Sequence, residues 1–161
     1  MSCEHLLNHL FAQAFKDHHL ICVREAPYPD FGVGDPSTDR PQTLDLLVIT
    51  PDKRREILIE AKQVHDGTGD AWRDRLAHGG SIAADIAKLR DIPAAPGRTR
   101  LALCYFTTPN EGWNAAEWKL WLERSPSMQG IFWERLDGSA DPLFRLGNDG
   151  WIDILAHKLD D

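Results

Sequence analysis

Two short apolar runs joined by a polar turn constrain this chain more than any other feature. Leu44-Asp45-Leu46-Leu47-Val48-Ile49-Thr50 is followed by Pro51-Asp52-Lys53-Arg54-Arg55 and then by Ile57-Leu58-Ile59-Glu60-Ala61-Lys62-Gln63. Both runs are short and rich in β-branched residues, so they read as strands, and the turn opens with Pro-Asp, a good hairpin connection. Three charged residues interrupt them: Asp45, Glu60 and Lys62. Strand side chains alternate between faces, which puts Asp45 with Leu47 and Ile49, and Glu60 and Lys62 with Leu58. An ionised group in a buried strand costs several kcal/mol unless it is compensated. Two carboxylates and an ammonium brought together across a hairpin can compensate one another, or can hold a divalent metal with Lys62 beside it. The blander reading is a Glu60–Lys62 surface ion pair on a half-exposed sheet, with Asp45 at a strand start.

An Asp on one apolar strand followed by Glu-x-Lys on the next resembles the PD-(D/E)xK nuclease superfamily, which includes many restriction enzymes and Holliday-junction resolvases. The resemblance is carried by Asp45, Glu60, Ala61 and Lys62. It implies an α/β fold: a mixed central β-sheet flanked by helices, with a restriction endonuclease-like α-β-β-β-α-β core over residues 3 to 106 and a C-terminal strand and helix extension over 108 to 161. It implies a metal-dependent nuclease that hydrolyses phosphodiester bonds of nucleic acid, DNA ahead of RNA. Asp45 and Glu60 would bind Mg²⁺ or Mn²⁺, with the Ala61 backbone carbonyl as a further ligand and Lys62 positioning the attacking water or stabilising developing charge. The resemblance also implies an extra acidic ligand, for which Glu4 and Glu25 compete, and supporting polar residues on the next helix, Asp85 and Lys88. Many nucleases of this fold act as dimers, so by analogy the resemblance allows a homodimer or a protein partner, while the oligomeric state is not given by the sequence.

Composition limits the alternatives. A chain of 161 residues with 42% hydrophobic content fits one domain with a real core. No apolar run approaches the ~20 residues of a membrane span, and the N-terminus has no secretory pattern. Cys3, Cys22 and Cys104 are scattered without metal-ligand spacing, which reads as reduced thiols in a cytoplasmic protein. The formal net charge of -7 argues against a protein that coats nucleic acid non-specifically, since phosphate contacts need clustered Lys and Arg. A metal-neutralised site with a local basic patch remains compatible with it. The same acidity suits a rival: an inactive nuclease-fold binding protein, such as an inhibitor or immunity partner, that meets a basic protein. No phosphate-binding Gly loop, Gly-x-Ser-x-Gly elbow or Cys–His pairing supports another enzyme class.

Along the chain, Leu6, Leu7, Leu10, Phe11, Ala14 and Phe15 predict an amphipathic helix over 3 to 17, with His5, Asn8 and His9 away from its apolar face. Glu4 then lies in the first turn, where the helix dipole favours an acid. His5, His9, His18 and His19 read as solvated. Leu20 to Glu25 reads as a strand, ended by Ala26-Pro27, and residues 26 to 43 form a long Pro- and Gly-rich loop leading into Asp45. Trp72, Arg73, Arg75 and His78 lie in a polar segment interleaved with acids, which reads as a solvated loop or short helix. Ile82 to Asp91 predicts a helix capped by Ser81, with Asp85 and Lys88 spaced for an ion pair. Leu101 to Phe106 reads as a central strand. Thr108-Pro109 reads as the cap and first turn of a helix to about Arg124. Ile131-Phe132-Trp133 reads as a strand with 143 to 146 as its edge partner, and Trp151, Ile152, Leu155 and Leu159 as a closing helix.

Overall fold

The computed structural model describes residues 3–37, 39, 41–65, 82–109, 115–124, 128–135, 144–146 and 150–160. Among these the protein is α/β, with a mixed β-sheet and few helices. The order is α1 (Cys3–Asp17), β1 (Ile21–Pro27), a 3-10 turn (Tyr28–Phe31), β2 (Thr43–Ile49), β3 (Glu56–His65), α2 (Ile82–Asp91), β4 (Arg98–Pro109), α3 (Ala115–Arg124), β5 (Glu134–Arg135), β6 (Phe144–Leu146) and β7 (Gly150–Lys158). The strands are hydrogen-bonded in the order β1-β2-β3-β4-β7-β5, with β6 also on β7. The residues form two compact units: Met1–Ala61 with Ile86–Ala102 and Lys158–Asp161, and Lys62–Asp85 with Leu103–His157. No helix among the described residues is long and apolar enough to cross a membrane.

In the first unit β1, β2 and the start of β3 form an antiparallel meander. β2 alternates: Leu44, Leu46 and Val48 are buried, while Asp45, Leu47 and Ile49 are half-buried. That period of two is what a strand with one closed face requires. β3 differs, because Leu58, Ile59, Glu60 and Ala61 are all buried in succession, as in a strand covered on both faces. Each such leucine or isoleucine contributes about 1.5–3 kcal/mol relative to exposure. Helix α1 packs against β1 and β2. Its inward face is turned from the expected one: Leu7, Asn8 and Ala12 are buried, whereas Leu10 is 53% exposed. Arg100 is buried too, and its guanidinium donates to the carbonyls of Ile92 (3.0 Å) and Asp160 (2.7 Å), tying the segment after α2 to the end of the chain.

The second unit is built on the latter part of β4 and on β7. Leu103, Cys104, Tyr105, Leu122, Met128, Trp133, Ile154 and Leu155 are buried in it. Here several expectations are corrected. The closing helix is strand β7, paired antiparallel with β5 and β6. Successive Ile154 and Leu155 are both buried, so the strand lacks alternation, and spacing alone could not distinguish it from a helix. Thr108 and Pro109 do not start a helix; they end β4, while residues 110–114 lie outside the described part. Ile131–Trp133 is irregular, and the strand is the next pair, Glu134–Arg135. β6 pairs with β7 rather than with that segment.

Candidate functional site

Two carboxylates lie at the open end of the β2–β3 hairpin. Towards that end Leu46 pairs with Ile59. The next residues on the two strands are Asp45 and Glu60, and residues opposed across antiparallel strands point to the same face. There Asp45 Oδ2 accepts a hydrogen bond from the Ala61 backbone N–H at 2.7 Å, so a carboxylate takes the position a ladder carbonyl would hold. On the other side of β2, Arg24 pairs with Leu46 and Ala26 with Leu44, with Glu25 and Asp45 lying between these pairs. Glu25 has φ of 55°. A left-handed backbone costs a non-glycine residue about 1–2 kcal/mol, and such strain clusters at functional sites.

Glu60 is only 5% exposed. The phenolic hydroxyl of Tyr28 donates a short hydrogen bond to its Oε1. Tyr28 is itself 2% exposed, in the 3-10 turn that follows β1. Its backbone N–H donates to the Gln42 carbonyl at 2.9 Å, and its carbonyl accepts from Val33 N–H at 3.3 Å. Both ends of the 28–42 loop are therefore gathered on the residue that touches Glu60.

In the second unit Lys62 Nζ lies 3.9 Å from Asp85 Oδ2, with side-chain exposures of 27% and 13%. This joins the end of β3 to the first turn of α2. Burial pushes the Cys104 thiol far above its ordinary range; the Asp85 carboxylate raises it further and the Lys62 ammonium opposes. Cys104 is accordingly a packed thiol rather than a nucleophile.

The other expected site residues are placed as follows. Glu25 is exposed and on the strained backbone beside Asp45. Lys88 is half-buried on α2, one turn after Asp85. Glu4 lies in the first turn of α1, and its side chain is outside the described part, as is the segment holding Trp72, Arg73, Arg75 and His78. His5, His9, His18 and His19 are exposed, with His9 Nδ1 3.5 Å from Arg24 Nη1. Among the described residues no three His, Cys, Asp or Glu side chains gather as a metal-holding group. Asp45 and Glu60 nevertheless offer the hard oxygen donors that Mg²⁺ and Mn²⁺ prefer, and Mg²⁺ commonly takes only one or two protein carboxylates, water and phosphate completing its shell. The donor set fits such an ion.

Sequence reasoning missed four buried polar residues among those described: Asn8, Tyr28, Gln63 and Arg100. For Tyr28 a signal existed. It is an aromatic with a polar tip between Pro27 and Pro29, whose rings restrict the backbone at the mouth of the loop. Compared with known proteins, the chain matches no family description, no curated sequence and no solved structure.

Proposed function

We propose that the protein is a metal-dependent phosphodiesterase acting on nucleic acid, DNA first, with a PD-(D/E)xK-type site and a restriction endonuclease-like core built on α1, β1–β3, α2 and β4. The observation that carries this reading is the Asp45 carboxylate bonded to the Ala61 N–H, one residue along from a buried glutamate that accepts from the Tyr28 hydroxyl. A hairpin selected only for stability has no need of two carboxylates at one end, nor the adjoining β1 of a left-handed glutamate. In this proposal Asp45 and Glu60 hold Mg²⁺ or Mn²⁺, with the Ala61 carbonyl beside them. When bound, the ion supplies Lewis-acid polarisation of the scissile phosphate and a more acidic water. Asp45, through its bond to Ala61 N–H, keeps the strand end in register. Lys62 stabilises negative charge developing on the phosphate oxygens or orients the water, and Asp85 positions the ammonium.

A specific observation favours a second reading. Asp45, Glu60 and Lys62 each have a protein partner, in Ala61, Tyr28 and Asp85, as a self-compensated polar cluster in an inactive binding protein would. Its acidic charge suits a basic partner. Calorimetric titration with Mg²⁺ and Mn²⁺, followed by assays on labelled single-stranded, duplex and branched DNA and RNA, separates the two. The nuclease reading expects metal binding that is lost in Asp45→Ala, and cleavage that is lost in both Asp45→Ala and Lys62→Ala. A wild-type protein that binds neither ion would leave the binding-protein reading in place.

A further inference from the structure

We infer that Tyr28 is a positioning residue for the Glu60 carboxylate, making the 28–42 loop a functional part of the metal site; this rests on the nuclease reading above. Glu60 is buried on an interior strand, where a carboxylate side chain has several rotamers and little water to stabilise any of them. A donor on one oxygen selects a single orientation. Tyr28 is suited to this in three ways. Its hydroxyl reaches Glu60 Oε1 across 32 positions of sequence. Its ring is almost wholly enclosed. Its backbone is pinned on both sides, through Gln42 at the loop's return and through Val33 and the Gly32 cap at the 3-10 turn. Gly32 has φ of 81°, the left-handed region that closes this turn readily only with glycine. The turn therefore delivers a hydroxyl to the carboxylate from a hydrogen-bonded base, while Gly34 and Asp35 are exposed.

Outer-sphere partners of metal-binding side chains commonly contribute tenfold to a hundredfold to metal affinity. The test uses the whole chain. Mg²⁺ is titrated calorimetrically into the wild type, Asp45→Ala and Tyr28→Phe, with thermal melts without metal as the check on folding. A second measurement needs no variant at the site: the two tyrosines, Tyr28 and Tyr105, are labelled as 3-fluorotyrosine, assigned through Tyr105→Phe, and followed by ¹⁹F NMR during the titration. The expected result is Mg²⁺ binding that Asp45→Ala abolishes and Tyr28→Phe weakens by about tenfold to a hundredfold, with a metal-dependent shift of the Tyr28 resonance. Binding lost in Asp45→Ala but unchanged in a folded Tyr28→Phe, with a Tyr28 resonance indifferent to Mg²⁺, would overturn the role of Tyr28 and leave the carboxylate pair standing. A wild type that binds neither Mg²⁺ nor Mn²⁺ would overturn the metal-site reading and this inference with it.

Discussion

The β2–β3 hairpin holds carboxylates at both ends, and the two ends use similar hydrogen bonds in opposite surroundings. At the turn, Asp52 Oδ1 accepts from the Thr50 hydroxyl at 2.6 Å and from Arg54 N–H at 3.1 Å. Arg54 Nε stands 3.9 Å from Asp52 Oδ2, with exposures of 86% and 59%. At the open end, the half-buried Asp45 accepts from Ala61 N–H and the buried Glu60 from Tyr28. An exposed carboxylate that loses its donor is rehydrated, so the net contribution of its bonds is small. A buried one is not rehydrated, and the donor it leaves behind is stranded as well. The turn cluster shapes a loop, whereas the inner cluster is a commitment that only full compensation or a bound cation makes tolerable.

Backbone packing also constrains the turn end. Gly97 has φ of 77°, and its carbonyl accepts from Glu56 N–H at 2.9 Å. A Cβ at that position would lie 2.1 Å from the Arg54 carbonyl oxygen. Gly97→Ala should produce the largest effect, a loss on the order of 3 kcal/mol from left-handed strain and clash together, read as a lower denaturation midpoint with an unchanged slope. A loss under about 1 kcal/mol would mean that the turn yields and that the contrast between the ends is weaker than described.

The next effect belongs to the inner end. Asp45→Ala should destabilise the fold by about 1–3 kcal/mol by stranding the Ala61 N–H, whereas Asp45→Asn, which retains an acceptor, should lose clearly less. Equal losses in urea unfolding would show that the Ala61 bond contributes nothing and that charge alone decides. The smallest effect is at Asp52, whose carboxyl is held below the usual carboxylate range first by the Thr50 hydroxyl and then by Arg54 N–H. A depressed folded pKa means stability that is present above the unfolded value of about 3.9 and is lost as pH falls through the folded one. Asp52→Asn should therefore lower the melting temperature only slightly near neutrality, where the contribution of the ionised carboxylate is present, and remove a shallow part of its fall below about pH 4. A large change at pH 7 would contradict the solvated character assigned to this end.

Several local elements are legible in the chain alone. The hairpin was legible because two β-branched runs flank a Pro-Asp turn, and its expected register of faces matches the alternating burial of β2. Helices α1 and α2 were legible from spacing, α2 to its exact bounds at Ile82 and Asp91. Asp45, Glu60 and Lys62 stood out because charges on apolar strands are costly. Tertiary structure decided the rest. β7 is a strand because its neighbours in the sheet complete its hydrogen bonds and bury Ile154 and Leu155 alike, which erases the alternation a sequence reader needs. Asn8 faces inward although helical spacing turns it out. The union of Tyr28 with Glu60 joins residues 32 positions apart. No local preference encodes such a contact; it exists because the loop closes on itself and the strand it meets is buried on both faces.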